Sequence, residues 1–288
     1  MLKCTYIIFI YNNQSNIPIL INSLKNIIGD FKKEYIFIDD GSDDFSLSVL
    51  KNCASDLPRT TIITQENLGP AISINKALGI ATGDYVHFVE GNEELHPKAT
   101  ITLTQACKEL GTDVAFGKVG TTTNSEYELL PSYELILEPI AQILAGKFPE
   151  IRNIGKSGSL VSRDLLEKIG RADSAVYAQN ISLSLRCGSC SKFAFVNSAI
   201  AAKPSALEGV DRKFEAYNNL KSVYNFTESH RDVVELTAFL LLINLSNEAV
   251  EVRAKINYKI KALLAKYLKL FSLDDILGFY QAELNKLF

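Results

Sequence analysis

The sequence predicts an α/β fold, with a mostly parallel sheet flanked by helices and a helical extension at the C-terminus. Between residues 5 and 90, short runs rich in β-branched residues alternate with helix-length amphipathic segments. The links between them are short, and such alternation implies parallel pairing with right-handed crossovers. Beyond about Arg212 the pattern is helical. We therefore expect an α/β domain over residues 1–211 and a helical extension over residues 212–288.

The composition is that of a folded soluble protein. The chain has 288 residues, of which 47% are hydrophobic and 22% are charged. Its net charge is −3, and without an excess of basic residues nothing in the composition indicates a nucleic-acid partner. Five cysteines without a signal peptide indicate a reducing, cytoplasmic location. Cys187 and Cys190 form a single CxxC pair without a second pair or nearby histidines, and we interpret this pair as structural. No apolar stretch is long enough to span a bilayer.

Short apolar runs predict four strands in the first part of the chain: Thr5–Tyr11, Tyr35–Asp39, Thr60–Thr64 and Tyr85–Glu90. The helices predicted between them run from Ser15 or Asn16 to Gly29, through Phe45–Cys53, and over Ala71–Ile80. Ser42 or Asp43 is the expected N-cap of the second helix. No GxGxxG follows the first strand, so an ordinary dinucleotide-binding fold has no support.

The pattern loosens after Pro97. In chain order it predicts a helix at Lys98–Leu110, a strand at Val114–Val119, an exposed loop at Gly120–Tyr127, a helix at Ser132–Leu144, a turn at Gly155–Ser159 and a strand at Phe193–Ile200. Two further helical segments follow, His230–Leu245 and Ala254–Phe271. The second of these is amphipathic, with an apolar face on one side and five lysines on the other. We favour a packed helix with a solvated basic face; the alternatives are contact with a membrane surface or between subunits.

The segment Tyr35–Asp44 carries the strongest functional signal. A predicted strand ends there in two carboxylates, Asp39 and Asp40, and the chain then turns at Gly41. In an open α/β sheet, ligands bind in the crevice beyond the carboxyl ends of the strands. Carboxylates at that position can accept hydrogen bonds from a base or a ribose. The alternative is a turn with solvated acids.

Several motifs follow one another in a fixed order. They are Tyr11-Asn12, Asp39-Asp40-Gly41-Ser42, Asn67-Leu68-Gly69, Asn75 and Ala81-Thr82-Gly83-Asp84-Tyr85. This order resembles the family 2 glycosyltransferases, which have the Rossmann-like GT-A fold. The resemblance is strong over residues 4–100, patchy over residues 150–200 and absent afterwards.

The resemblance implies transfer of a sugar, with inversion, from a nucleotide-diphosphate donor of the UDP type. The acceptor would be a saccharide or a lipid-linked molecule, in cell-surface polysaccharide synthesis. By the same resemblance Tyr11 and Asp39 contact the base, Asp40 lies close behind, and Asn67 and Asn75 complete the nucleotide site. The alternative for Tyr11 is a core aromatic residue at a strand end.

The metal-binding motif of the family is altered in this chain. The family's Asp-x-Asp, which binds Mg²⁺ or Mn²⁺, reads Glu90-Gly91-Asn92 here, with Glu93 as a replacement carboxylate. The family's helical arginine is replaced by Ile74. A weakened Mg²⁺ or Mn²⁺ site is therefore expected; the alternative is a solvated acidic loop.

The position of the catalytic base is also altered. The family's Glu-Asp pair before a Leu-x-Leu-Arg helix reads Gln179-Asn180 here, and an amide cannot accept a proton near neutral pH. Asp173 is the nearest upstream acid and the candidate replacement. Ser157-Gly158-Ser159 resembles the acceptor loop, and Arg186 is either a site residue or a surface charge. Two hypotheses result: an active glycosyltransferase, or a catalytically impaired module that binds nucleotide or glycan or acts as a scaffold.

Overall fold

The computed structural model describes residues 1–121, 131–147, 149–156, 158–177, 179–203, 212–231, 238–249, 254–255, 258–259, 261–262 and 272–287. Three predictions lie partly outside these residues: the loop at Gly120–Tyr127 and the helices His230–Leu245 and Ala254–Phe271. Ser157 of the predicted acceptor loop also lies outside them.

A mixed sheet of nine strands forms the centre of the described structure. The strands are β1 (Lys3–Ile10), β2 (Lys32–Asp39), β3 (Thr60–Thr64), β4 (Tyr85–Glu90), β5 (Glu94–Leu95), β6 (Val114–Gly120), β7 (Tyr133–Ile136), β8 (Ser159–Ser162) and β9 (Phe193–Ala202). The helices are α1 (Ile17–Lys25), α2 (Ser46–Cys53), α3 (Pro70–Ile80), α4 (Ala99–Leu110), α5 (Pro139–Ala145), α6 (Arg163–Lys168), α7 (Gln179–Gly188), α8 (Arg212–Ser229), α9 (Ala238–Glu248) and α10 (Leu273–Leu287).

The predicted parallel pairing holds for the first four strands, which lie in the order β3-β2-β1-β4. Strand β8, which the sequence analysis did not predict, lies antiparallel between β4 and β6. Strand β6 then pairs parallel with β9, and β5 and β7 pair antiparallel with β9. The carboxyl ends of β1, β2 and β4 therefore meet at one edge of the sheet, where the sequence predicts the ligand crevice.

The two faces of the sheet are covered by separate groups of helices. Successive residues of β1 alternate between them, since Ile7 belongs to one buried cluster while Tyr6 and Ile8 belong to the other. Helices α1, α2 and α4 contribute side chains to the cluster of Tyr6. Helix α3 and helices α5 to α10 cover the opposite face.

The C-terminal helices share a core with the sheet. Leu220 of α8, Leu241 of α9 and Tyr280 of α10 are fully buried in the same cluster as Ile7. The Tyr280 hydroxyl donates to Asn244 Oδ1 at 2.8 Å, which ties α10 to α9. The division of the chain near residue 212 stays a prediction. No helix within the described residues combines the length and apolarity that a bilayer span requires.

The helix predicted at Ser132–Leu144 is wrong in its first part. Tyr133–Ile136 forms strand β7, which pairs with β9 through Tyr133 and Val196, and the helix starts only at Pro139. Proline disfavours a helical conformation in the residue before it but suits the first turn of a helix. The segment before Pro139 instead pairs as a strand with β9, which lies far away in the sequence.

Two details at helix ends also differ from expectation. Helix α1 ends at Lys25 rather than at Gly29. Beyond Lys25 the Ile28 N–H donates to the carbonyl of Pro97 at 2.9 Å, a bond outside the helix. Neither Ser42 nor Asp43 caps α2, whose first N–H, that of Ser46, donates to Asp44 Oδ1 at 2.8 Å.

Candidate functional site

A cleft of about 560 Å³ opens at the carboxyl ends of the parallel strands. Its lining residues follow β1, β2 and β4 and continue through α3, the turn at residues 155–156, α7 and α8. Of the site residues predicted from the sequence, six line this cleft: Tyr11, Asp40, Asn67, Glu90, Asn92 and Asn180. Asp39, Asn75, Glu93 and Asp173 do not line it.

Tyr11 is an open aromatic surface in the cleft and not a core residue. It directly follows β1, its side chain is 51% exposed, and its N–H donates to Asn13 Oδ1 at 2.9 Å. The next residue, Asn12, has a φ of +52°, which turns the chain away from the strand direction. This turn leaves the tyrosine ring available for stacking against a planar ligand.

The two neighbouring aspartates have different environments. Asp39 is buried, with 4% exposure, and accepts a hydrogen bond from the Ser42 hydroxyl. Asp40 lines the cleft, and its Oδ1 accepts from Gln65 Nε2 at 2.6 Å and from the Leu68 N–H at 3.2 Å. Asp40 therefore fixes the loop after β3 that carries Asn67, whereas Asp39 fixes the turn after β2.

Asn75 lies on α3 but is turned away from the cleft. Its Nδ2 donates to the Ala172 carbonyl at 3.0 Å, and its Oδ1 accepts from the Ala172 N–H at 2.9 Å. Both ends of the amide are thus engaged by the protein itself. The predicted nucleotide contact finds no support in this geometry, and the residue instead holds the segment that precedes α7.

Two lysines meet the carboxylates of the altered metal-binding motif. Lys203, which directly follows β9, forms an ion pair with Glu90 Oε2 and lies 3.3 Å from Glu93 Oε1. Lys156 lies 3.9 Å from the other oxygen of Glu90. Glu93 has no exposed side-chain surface, and its Oε2 accepts from the Glu90 N–H at 2.9 Å.

The protonation of this cluster follows from its burial. Burial, together with the nearby Glu90 carboxylate, raises the pKa of Glu93 to about 8. Burial alone would lower the pKa of Lys203, but attraction by Glu90 and Glu93 outweighs it and raises that pKa above its ordinary value. Lys203 is therefore firmly charged at neutral pH.

The donor set does not fit Mg²⁺ or Mn²⁺. These ions need several carboxylate or carbonyl oxygens that are free to coordinate. Here both oxygens of Glu90 face ammonium groups, Glu93 is enclosed, and Asn92 offers a neutral amide. Across the described part of the chain, no group of three or more His, Cys, Asp or Glu side chains could hold a metal ion.

The amide pair at the start of α7 divides into two roles. Both amides line the cleft, and Asn180 is the one that the family resemblance aligns with the base. Gln179 is buried, and its Nε2 donates to the Asp173 carbonyl at 2.7 Å while its Oε1 accepts from the Asp173 N–H at 3.0 Å. The Asp173 carboxylate accepts from the Ala175 N–H at 2.9 Å. Asp173 therefore shapes the loop before α7 and does not line the cleft as a replacement base would.

Arg186 is a structural residue. Its Nη1 donates to the Arg171 carbonyl at 2.6 Å, and its Nη2 donates to the Ile169 carbonyl. Both contacts hold the turn between α6 and α7. The two cysteines near it, Cys187 and Cys190, are free thiols.

Several residues in or beside the cleft belong to no motif of the sequence: Lys156, Lys203, Tyr177, Phe214 and Glu215. The side chains of Tyr177 and Phe214 are both 53% exposed, and their rings meet edge to face with centroids 5.5 Å apart. Glu215 lines the cleft beside them, and within the described residues its carboxylate has no hydrogen bond or ion pair. These residues come from separate segments, so no local motif joins them.

Both the sequence and the fold of the chain are similar to those of known proteins. The sequence model described as "Glycosyl transferase family 2" matches residues 5–170, more than half of the chain. The chain is 34% identical over 112 residues to "GalNAc(5)-diNAcBac-PP-undecaprenol beta-1,3-glucosyltransferase" of Campylobacter jejuni, a match covering 38% of this chain and 36% of that protein. The chain spans between 18% and 36% of the length of the curated relatives it matches.

Two solved structures share the fold. The crystal structure of S. aureus TarS 1-349 in complex with UDP-GlcNAc has a TM-score of 0.64 at 16% identity, covering 99% of this chain and 89% of that one. The mannosyltransferase PcManGT from Pyrobaculum calidifontis, in complex with GDP-Man and Mn²⁺, has a TM-score of 0.63 at 15% identity, covering 99% and 86%. These likenesses confirm the GT-A fold that the sequence motifs implied.

Proposed function

Since this chain belongs to glycosyl transferase family 2, we propose that it transfers a sugar from a nucleoside-diphosphate donor to a saccharide or lipid-linked acceptor. The observation that carries the proposal is the cleft at the carboxyl ends of β1, β2 and β4. An exposed tyrosine, an aspartate and an asparagine converge there from three different loops. A donor of the UDP type is supported by the UDP-GlcNAc complex of the TarS structure.

The nucleoside end of the donor binds between Tyr11 and the loop after β3 that Asp40 fixes. The tyrosine ring stacks on the base, and Asn67 offers both a donor and an acceptor to its edge. Asp39 acts through Ser42, whose Oγ also accepts from the Asn12 N–H at 3.1 Å. The buried carboxylate thus positions the loop that carries Tyr11.

Attack by an acceptor hydroxyl with inversion requires a group that takes its proton. Among the residues that the structure describes, the carboxylates that line the cleft are Asp40, Glu90 and Glu215. Asp40 is engaged by Gln65 and Glu90 by the lysines, so Glu215 is the one whose carboxylate is free to accept a proton within the described residues. We assign the role of proton acceptor to the Glu215 carboxylate, on α8, and not to the Asn180 amide or to Asp173.

The acceptor enters past Tyr177 and Phe214. Half-exposed aromatic rings offer the apolar face that the C–H side of a sugar ring needs. The name of the Campylobacter jejuni relative supports a lipid-linked saccharide as acceptor, in surface polysaccharide synthesis. Among the basic residues of the C-terminal segment, Lys261 lies 3.6 Å from the ring centre of Phe279, which favours packing within the protein over contact with a membrane for that side chain.

A second function, nucleotide or glycan binding without transfer, is favoured by one observation: the base position holds Asn180. Release of UDP from a panel of UDP-sugars, with and without lipid-linked and saccharide acceptors, separates the two. Acceptor-dependent release that Tyr11→Ala abolishes supports the enzyme. Calorimetric binding of UDP without release from any donor supports the binding module. Absence of binding of both UDP and GDP would refute the enzyme and the nucleotide-binding module, and would leave only glycan binding.

A further inference from the structure

The acidic motif at the end of β4 is already neutralised by the chain itself. Lys203 contacts Glu90 and Glu93, and Lys156 approaches Glu90 from the side of the cleft. Two ammonium groups therefore surround the Glu90 carboxylate, with Glu93 behind it, at the place where the family resemblance puts a divalent cation. A Mn²⁺ ion entering here would have to displace a lysine and would meet the repulsion of both.

The two lysines differ in what they can reach. Lys156 lines the cleft, and its side chain is 46% exposed. Lys203 does not line the cleft, and its side chain is 31% exposed. Its main-chain N–H donates to the Gly120 carbonyl at 2.9 Å, so its backbone is anchored to the end of β6. Lys156 is thus placed to touch a ligand, while Lys203 acts on the ligand through Glu90.

Building on the proposed function, we propose that this cleft binds the donor's diphosphate without a metal ion. The Lys156 ammonium contacts the phosphate oxygens directly, as a mobile point charge suited to phosphate. Lys203 is a positioning residue: by holding Glu90 it removes a negative charge that would otherwise repel the diphosphate. Asn92, beside them in the cleft, adds a neutral amide donor that is compatible with an anion.

The test compares a nucleoside with its diphosphate by calorimetry, in EDTA and in Mn²⁺. Uridine and UDP, and guanosine and GDP, are the probes, so that the diphosphate contribution is the ratio of the two dissociation constants. We expect the wild-type protein in EDTA to bind the diphosphate at least about tenfold more tightly than the nucleoside. Mn²⁺ should improve that affinity by less than about threefold.

Lys156→Ala should remove most of the diphosphate contribution while leaving the affinity for the nucleoside unchanged. Lys156→Arg, which keeps the charge, should restore it in part. Lys108→Ala is the matched control, because Lys108 is an exposed lysine on α4 that does not line the cleft. Equal loss in Lys156→Ala and Lys108→Ala would overturn the inference, since it would indicate only an effect of net charge.

Lys203→Ala tests the positioning role. It frees Glu90 and Glu93, so diphosphate affinity in EDTA should fall while the gain from Mn²⁺ rises above that of the wild type. Should this variant fail to fold, the Lys156 variants decide alone. Wild-type binding of UDP or GDP that needs Mn²⁺ would overturn the metal-free site yet leave the proposed function standing. Absence of binding of every probe would instead refute the proposed function, and this inference with it.

Discussion

Asn75 on α3 and Ala172 before α7 form a reciprocal pair of hydrogen bonds, at 3.0 and 2.9 Å, across 97 residues of chain. The pair joins the parallel half of the sheet to the segment that leads to Asn180. We expect Asn75→Ala to lower the free energy of unfolding by about 1–3 kcal/mol, because the N–H and the carbonyl of Ala172 both lose their hydrogen-bond partner. Urea denaturation measures this change.

Asn75→Asp is the matched variant. It keeps an acceptor for the Ala172 N–H but places a carboxylate beside the Ala172 carbonyl, so we expect a loss of stability here too. Neither variant should change the affinity for UDP by more than about threefold in the folded protein. Normal stability combined with a large loss of UDP affinity would show that Asn75 contacts the nucleotide, as the family resemblance implies.

Asp39 and Ser42 should behave as one unit. If Asp39 acts through Ser42, then Asp39→Ala and Ser42→Ala should each weaken UDP binding on the order of tenfold, the effect of losing one charge-assisted hydrogen bond. The double variant should be little worse than either single one. Loss of UDP binding in Asp39→Ala with no effect of Ser42→Ala would instead indicate direct contact between Asp39 and the base.

The parts of the fold that local pattern controls could be predicted from the sequence. Strands β3 and β4 begin and end where predicted, because runs rich in β-branched and aromatic residues are bounded there by polar turns. Tyr133–Ile136 could not be predicted, because its strand conformation depends on an edge of β9 about 60 residues away. Helical spacing alone decided the prediction, and tertiary pairing overrode it.

The candidate site shows the same limit. Asp40 and Glu90 are recognisable because each ends a predicted strand within a known motif. Lys203 carries no such signal: it follows β9 by one residue, and only the order of strands in the sheet brings it to Glu90. Glu215 is likewise an ordinary exposed acid on a helix until the fold places it in the cleft wall.

His87 should make the fold sensitive to acid. It is fully buried on β4, against Thr100 and the ring of Tyr6, and burial lowers its pKa to about 3. The unfolded chain takes up this proton near pH 6.5, whereas the folded chain does not. The free energy of unfolding should therefore fall by up to about 1.4 kcal/mol per pH unit as the pH drops from 6.5 towards 3.

His87→Phe keeps a ring of similar size and removes the titrating group. Thermal unfolding at a series of pH values should show a smaller acid slope for this variant than for the wild type between pH 6.5 and 4. Glu34, whose pKa is lowered to about 2, adds its own acid slope below about pH 4.5 in both proteins, so the difference between them isolates His87. Identical slopes would mean that His87 is protonated in the folded state.

The proton acceptor is tested by three substitutions that each change one carboxyl or amide group. Glu215→Gln should lower kcat by about 10²–10⁴-fold, the usual contribution of a general base, with UDP affinity unchanged. Asp173→Asn should leave kcat within about threefold, because that carboxylate serves the loop before α7. Asn180→Asp should restore turnover to the Glu215→Gln variant, since it places a carboxylate where the family has one. Steady-state rates of UDP release measure the effect of all three substitutions. A Glu215→Gln variant as active as the wild type would show that Glu215 is not the proton acceptor.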